Sequence, residues 1–534
     1  MLNQEPSKMA QPSKFPEISS DFSDFSDVSH SSLSPTIRQL LASPPQFNTH
    51  GIARGHIKAI RSFRQVGFMD LSDGSVHATL SVTFNDPESV LAGSKYKVGQ
   101  SVEVHGKWVE SPGSQPFELC FDASDATHSI AVLGDVPDGY PIQKKRSTLQ
   151  FLRTVPTLRH RTSLLASVLR FRSRVEGLLG DFFRAHDVVK ATPPIITAAD
   201  CEGAGEQFQV RPMAEVSRAS PSGAKNSQVD HFFGKEAYLT VSTQLHLEIL
   251  ALSLNRAWTL TPCFRAEDSN TNRHLSEFWM LEAELCYVTH VHQLTDFVEA
   301  MVRHVVASLN NETDVWGAGS KTDLVSARYS KPEVAKIRAS WDQILSENPW
   351  PSITYTHAIE VLNKIKYKGR SKGRLEWGAS ISTEDEKWLA GVHFQSPVFI
   401  TDYPKAQKPF YMLQNKAGPG TTEIPHSDSD SNTKTDTKPS DRATVACFDL
   451  IVPELGELVG GSLREHDYAT LVAEMEERGM SAEAMQWYLS TRENGSVPHG
   501  GFGMGFERLL AYLTAVENIR DISAFPRAPG VCAC

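Results

Sequence analysis

The chain has 534 residues, 40% hydrophobic and 22% charged, which excludes a wholly disordered or fibrous chain and allows about three or four domain-sized pieces at roughly 100–200 residues each. Its 53 Lys and Arg against 63 Asp and Glu leave a net charge of −10, which argues against general coating of nucleic acid but permits a local basic groove. No apolar run reaches the roughly 18 residues that a membrane-spanning helix needs.

Residues 1–36 are rich in Ser, Pro and Asp, with the near-repeat Asp21-Phe22-Ser23-Asp24-Phe25-Ser26-Asp27. Such a stretch cannot bury a core, and a disordered tail is expected over 1–48. Residues 1–36 have no Arg and five acidic residues, unlike an Arg-rich presequence, and no apolar segment of a secretory signal.

From about Gly51 to Val136 short alternating runs are separated by turn signals, among them Gly55–Ile60, Gly67–Leu71, Ala78–Phe84 and Ser101–Val109, with Asp73-Gly74 and Pro112-Gly113 between. Four or five short strands in this span predict a small β-barrel, of which the oligonucleotide-binding barrel is one option. Residues 142–174 then hold nine Lys and Arg and no acid. Alone, such a run fits a solvated helix face equally well; directly after a barrel it could track a phosphate backbone.

Ser163 is expected to cap a helix whose apolar positions run Leu164, Leu165, Val168, Leu169, Val175, Leu178, Leu179, Phe182 and Phe183. Beyond Thr192-Pro193-Pro194, apolar runs (Tyr238–Val241, Trp258–Arg265, Val398–Thr401) alternate with amphipathic helices near 293–309 and 466–478, a mixed α and β pattern. Residues 212–230 and 416–442 are polar and look like surface insertions. The seven cysteines form no C-x-x-C pair and read as free thiols.

Three segments carry chemistry. In Phe264-Arg265-Ala266-Glu267-Asp268-Ser269-Asn270-Thr271-Asn272-Arg273-His274-Leu275-Ser276-Glu277-Phe278 a polar loop joins two apolar runs. Its Arg and His residues suit a polyphosphate, because guanidinium forks clamp phosphate oxygens in pairs. Gly500-Gly501-Phe502-Gly503-Met504-Gly505-Phe506-Glu507-Arg508 puts glycines on a strand, where a planar ligand can come close, and Arg508 at the start of a helix. Asp449-Leu450-Ile451-Val452-Pro453-Glu454-Leu455-Gly456-Glu457, followed by Gly460-Gly461-Ser462-Leu463-Arg464, offers carboxylates at 449 and 457 for Mg²⁺.

In this order the segments resemble the class II aminoacyl-tRNA synthetases, and closely the asparaginyl-tRNA synthetases of bacterial and organellar type. Phe264-Arg265-Ala266-Glu267 with its loop is similar to the family's motif 2, Gly501–Arg508 to motif 3, and the 163–188 helix with Pro194 to motif 1. Glu202-Gly203-Ala204-Gly205-Glu206, Phe410-Tyr411-Met412, Pro498-His499-Gly500 and Asn518-Ile519-Arg520-Asp521 match too, and the likeness runs over about 50–530 apart from the two insertions.

The resemblance implies an α+β chain: an OB-fold anticodon-binding barrel over 49–138, a basic hinge over 139–162, and a class II catalytic domain over 163–534. Its antiparallel sheet is expected to be flanked by helices. It implies ATP and Mg²⁺, with Arg265 and Arg508 catalytic; Arg265, Glu267, Arg273, His274, Phe278, Glu457, Gly505 and Arg508 on ATP; and Asp449 and Glu457 on the metal. Glu202, Gln244, Glu282 and Arg464 would form the amino-acid pocket, and Phe68 would stack on an anticodon base, unless it is a core residue. Relatives commonly carry Gln where this chain has Ser81. The partners implied are tRNA(Asn), L-asparagine and a second copy joined through motif 1. The compartment implied is the mitochondrial matrix, with the cytoplasm as alternative.

Aspartyl relatives share most of these motifs but typically read Ser-Pro-Gln-Leu-Tyr-Lys, whose Lys meets the substrate carboxylate. Here Ser242-Thr243-Gln244-Leu245-His246-Leu247 has Leu at that position. Glu277-Phe278-Trp279, Glu282 and Thr401-Asp402-Tyr403-Pro404-Lys405 also differ from the aspartyl pattern. Asparagine is therefore the expected substrate. The alternatives are an aspartyl enzyme of relaxed specificity and a non-catalytic RNA-binding paralogue; intact Arg265, Glu267 and Arg508 count against the latter.

Overall fold

A computed structural model of the chain describes residues 33–113, 115–145, 147–198, 207–213, 231–311, 331–364, 373–416 and 442–534. Six strands form the N-terminal barrel: β1 (His50–Ser62), β2 (Val66–Ser72), β3 (Leu80–Asn85), β4 (Ser101–Glu110), β5 (Phe117–Phe121) and β6 (Ser129–Gly134). They follow the order β1-β2-β3-β5-β4-β6, and β1 also pairs with β4. Alternation places Ile57, Met69, Leu71, Val82, Phe84, Val104 and Leu119 inside. Gly67 is required where the Phe84 ring presses on the backbone: a Cβ there would lie 2.0 Å from it.

The tail expected over 1–48 needs one correction. Ile37–Ala42 is a helix with a capping box between Thr36 and Gln39. Ile37 is buried in the barrel core, and its N–H donates to Asp73 Oδ2 at 2.7 Å. The basic segment holds short helices at Leu149–Arg153 and Arg159–Arg161. The long helix spans Ser163–Ala185, with Thr162 rather than Ser163 as its cap residue.

Ten further strands follow: β7 (Val189–Lys190), β8 (Ile196–Thr197), β9 (Tyr238–Leu239), β10 (Arg256–Phe264), β11 (Glu277–Cys286), β12 (Ser352–Thr354), β13 (Val398–Thr401), β14 (Cys447–Val452), β15 (Gly456–Leu463) and β16 (His499–Gly505). Eight of them form one sheet in the order β12-β13-β14-β15-β16-β11-β10-β7. The sheet is antiparallel within, but its outer pairs, β12 with β13 and β7 with β10, run parallel. The expected antiparallel sheet is present, and parallel pairs are added at its two edges, where the chain makes a helical crossover and not a hairpin.

One face of this sheet packs Leu260, Leu281, Ala283, Phe448, Leu450, Phe502 and Met504 against the helices Ser163–Ala185, Val291–Asn311 and Phe506–Thr514. The opposite face therefore carries Phe278, Met280, Glu282 and Glu284 of β11 and the glycines of β16, because side chains alternate along a strand. No described helix is long and apolar enough to cross a membrane.

Candidate active site

The floor of the site is a lane of glycines. Gly501, Gly503 and Gly505 stand opposite Glu284, Glu282 and Met280. A Cβ on Gly501 would fall 2.0 Å from Glu284 Oε2, whereas one on Gly503 would meet nothing nearer than Met280 Sδ at 3.5 Å. The lane thus admits the carboxylates from one side and leaves an open surface beside them.

β10 and β11 pair from Arg256↔Leu285 to Phe264↔Glu277, and the connecting loop carries the expected phosphate ligands. Arg265 N–H donates to Ser276 O at 3.0 Å, and the Arg265 guanidinium carbon lies 5.4 Å from the Phe278 ring centre. Half-buried Glu267 begins the turn, its carbonyl accepting from Ser269 N–H at 2.9 Å. His274 Nδ1 is bracketed by the Ser269 hydroxyl at 2.9 Å and the Thr271 hydroxyl at 2.7 Å. Arg273 Nη1 donates to Thr383 Oγ1 at 2.7 Å, and its buried Nε has no partner among the described residues. Burial, then the Arg508 charge, lowers the basicity of both Arg273 and His274.

Arg508 follows Gly505 at the start of its helix, with Nη1 3.6 Å from Glu457 Oε2. Burial opposes ionisation of Glu457, but Arg508, Lys408, Arg265 and Arg273 outweigh it and hold the carboxyl below its usual range. Arg265 and Arg273 of one loop and Arg508 of a distant helix thus all bear on one carboxylate. Asp449 and Glu457 come together over Gly460, where a Cβ would lie 3.4 Å from Asp449 Oδ1 and 3.6 Å from Glu457 Oε1. Asp449 is also gripped by Lys408 Nζ at 2.7 and 2.8 Å, a partner the sequence reading missed. Glu386 was missed as well: it accepts from Glu457 N–H at 3.1 Å, and burial, then the Glu457 charge, pushes its carboxyl up to about 7.

Gln244, Glu282 and Arg464 share the other end of the site. Glu282 accepts from the Thr243 N–H at 3.0 Å and from the hydroxyls of Ser242 and Thr243. Gln244 Nε2 donates to Glu248 Oε1 at 3.0 Å. Arg464 is held by Glu284, with Nε–Oε1 3.1 Å and Nη2–Oε2 2.9 Å. Glu248 and Glu284 were not anticipated: their partner Arg464 lies far along the chain, and only the fold brings them to it. Glu202 lies outside the described residues, as do nearly all of the two expected insertions.

Phe68 alternates with buried Met69, is half-exposed and stands outside the barrel core. The Arg61 guanidinium carbon lies 5.3 Å from its ring centre and the Phe63 ring 5.9 Å away. Ser81 is buried, its N–H donating to Gln115 Oε1 at 3.3 Å.

The nine-cation run divides. Arg153 Nε donates to Asp521 Oδ1 at 3.0 Å, Arg159 Nη2 to the carbonyls of Arg520 and Ser523 at 2.9 and 2.8 Å, and Arg172 Nη1 to Glu507 Oε1 at 2.7 Å. These three hold the molecule together. Lys144, Lys145, Arg161 and Arg170 line a cleft of about 1220 Å³ between barrel and hinge, joined by Lys58 and opposed by Asp73. Arg174 is exposed on the long helix, and Arg146 lies outside the described residues.

A family model for class II tRNA synthetases (D, K and N) matches residues 150–529, and one for the OB-fold nucleic acid binding domain matches 52–123. The mitochondrial asparagine–tRNA ligase of Saccharomyces cerevisiae is 44% identical over 89% of this chain and 91% of its own length. That of Schizosaccharomyces pombe is 38% identical over 89% and 93%. Among solved structures, asparaginyl-tRNA synthetase from Pyrococcus horikoshii complexed with asparaginyl-adenylate is similar with a TM-score of 0.70 and 26% identity, covering 91% of this chain and 97% of that one. With barrel, catalytic sheet and motif residues in this arrangement, the chain belongs to the asparaginyl-tRNA synthetase family of the class II tRNA synthetases.

Proposed function

We propose that the chain joins asparagine to tRNA(Asn) in two steps: asparagine and ATP give asparaginyl-adenylate and pyrophosphate, and the asparaginyl group then passes to the 3′-terminal ribose of the tRNA. The observation that carries this reading is the cluster at the edge of the glycine floor, with Arg508 3.6 Å from Glu457 and Arg265 over the Phe278 ring. The attacking carboxylate and the α-phosphate are both anionic, so the first barrier is repulsion and positioning. Arg265 bridges the two and neutralises charge as it builds on the phosphorus. Phe278 and Arg508 enclose the adenine above Gly505, and Glu267 accepts from its amino group. Arg273 and His274 hold the outer phosphates.

The oxygen-only donor set of Asp449 and Glu457 fits Mg²⁺, and burial together with the Glu457 charge raises the Asp449 carboxyl, an excess of negative charge that a divalent cation relieves. When bound, the ion would neutralise phosphate charge. Gln244, Glu282, Arg464 and Glu202 take the amino acid. Where aspartyl enzymes carry Lys, Leu247 is buried beside Ala251, Ala257 and Cys286, so that position offers no ammonium to a substrate carboxylate.

Phe68 stacks on an anticodon base, and the basic cleft of Lys58, Lys144, Lys145, Arg161 and Arg170 follows the tRNA backbone. Crowding supports the cleft's part: burial and the Arg161 charge lower the pKa of Lys58. A second copy docks on the long helix and the strand after it, where Val189, Ile195 and Ile196 expose apolar surface. The mitochondrial matrix is the proposed compartment, on the strength of the two yeast relatives; the cytoplasm is the alternative.

ATP–pyrophosphate exchange with asparagine and aspartate side by side tests the reading. Exchange with asparagine, followed by charging of tRNA(Asn), is expected; exchange with aspartate alone would overturn it.

A further inference from the structure

Behind Arg464 lies a buried group of charges that none of the roles above uses. Glu248, on the helix Gln244–Leu254, is fully buried. Its Oε2 accepts from Arg492 Nη2 at 2.7 Å, from the Tyr488 hydroxyl at 2.7 Å and meets His499 Nε2 at 3.2 Å; Arg464 Nε is 3.8 Å from Oε1. Glu284 holds Arg464 from the other side. Glu248, Glu284 and His499 bring ligand atoms within 4.8 Å of one another, as a metal site would. Two guanidinium groups already occupy that company, so the protein supplies its own cations there.

The charges can be counted from every element that packs here. Arg464 after β15 and Arg492 on its helix are positive, and His499 of β16 adds a third positive charge when doubly protonated. Glu248, and Glu282 and Glu284 of β11, are the carboxyl groups; Glu284 is paired with Arg464 at 2.9 Å against a burial that raises its carboxyl. Tyr411 and Tyr488 are neutral, as is Cys286, whose thiol is pushed up to about 11 by burial and by the charges of Glu284 and Glu248. With all three carboxylates ionised, no positive charge is in excess in either form of His499. Arg464 spends three of its five N–H groups on Glu284 and the Ser462 hydroxyl, which leaves two to meet a carbonyl oxygen.

We propose that Glu248 determines side-chain specificity: with Glu284 it cancels the charge of Arg464 and Arg492, so that the pocket accepts an amide and refuses an ionised carboxylate. An amide offers its oxygen to Arg464 and its NH₂ to Glu282. A carboxylate in the same place is a buried anion without a net positive partner, and it enters only as the protonated acid. Glu248 acts through Arg464 and Gln244, so it is a positioning residue, and the inference rests on Arg464 facing the amino acid's side chain.

The test is ATP–pyrophosphate exchange by the full chain between pH 6.5 and 8.5, with asparagine and with aspartate, and with aspartate as a competitor of asparagine. In the unaltered protein the aspartate-to-asparagine ratio of kcat/KM, or the reciprocal Ki of aspartate, should rise about tenfold per pH unit on acidification, because the protonated acid does so above its pKa near 3.9. Glu248→Gln should raise that ratio about tenfold or more at pH 8 and flatten its slope. A ratio independent of pH in the unaltered protein would overturn the proposal, and so would a Glu248→Gln variant that loses both activities with the ratio unchanged. If that variant does not fold, the pH slope of the unaltered protein decides. Arg464→Ala separates the two readings: undiminished exchange with asparagine would remove Arg464 from the pocket, whatever Glu248 does.

Discussion

The Glu507 carboxylate joins three parts of the catalytic domain. Arg172 of the long helix donates to one oxygen at 2.7 Å, and the other accepts from the Trp279 N–H of β11 at 2.9 Å. Arg172 also lies over Phe506, 4.7 Å from the ring centre. The residue before Arg508 is therefore tied to the face proposed for the second copy. Removing one partner of such a buried pair costs on the order of 3 kcal/mol, with part-exposed Arg172 at the lower end. Arg172→Ala and Glu507→Gln should each lower the melting temperature and the exchange rate. Their double variant should be less than additive by about 1 kcal/mol, and strict additivity would break the link.

Arg265→Ala should lower ATP–pyrophosphate exchange by about two to three orders of magnitude, the usual effect of losing a charge-stabilising donor. Binding of tRNA, measured by filter retention, should persist. Equal loss of both would mean that the substitution unfolds the β10–β11 hairpin.

Phe68→Ala should leave exchange unchanged and raise the KM for tRNA roughly five- to a hundred-fold, the range for one lost stacking partner. An unaltered KM would return Phe68 to a purely structural part in the barrel.

His160 sits against the Phe525 ring at 5.7 Å, and burial, then the Arg159 charge, brings its pKa down from 6.5 to about 4. The unfolded chain binds a proton there more readily than the folded one. Stability from this group is thus complete above pH 6.5 and is lost as pH falls toward 4. Thermal melts over that window should drop less steeply for His160→Gln than for the unaltered protein. Parallel curves would exclude the histidine.

Gly501→Ala and Gly503→Ala should part company. At 501 the added carbon meets the Ala283 carbonyl at 2.2 Å, a backbone atom that cannot step aside, so the variant should misfold. At 503 the nearest atom is 3.5 Å away, so that variant should fold and lose exchange through a raised KM for ATP. Normal exchange by Gly503→Ala would take the lane out of substrate binding.

How far the sequence could be read depended on how local each feature was. The β10–β11 hairpin and the Arg508 helix were legible because an apolar run, a polar loop and a glycine strand each announce themselves within a few residues. Glu282 came with them, but Glu248 did not: a single Glu in an apolar helix has no mark of its own. Only the fold brings it to Arg464, Arg492 and His499. The nine-cation run misled in the same way. Asp521 and Glu507, hundreds of residues downstream, turn Arg153 and Arg172 inward, and nothing near them says so. Lys408 was hidden because it lies 41 positions before Asp449 in the chain.

The helix Ile37–Ala42 sets a limit on proteolysis at the amino end. A cut upstream of Ser34 spares both the Thr36 capping box and the Ser34 contact with Arg54. A cut beyond Thr36 removes the cap, worth about 1 kcal/mol, and frees Ile37 from beneath the barrel. Any maturation that trims this chain thus has a last safe bond, set by barrel packing and not by the protease.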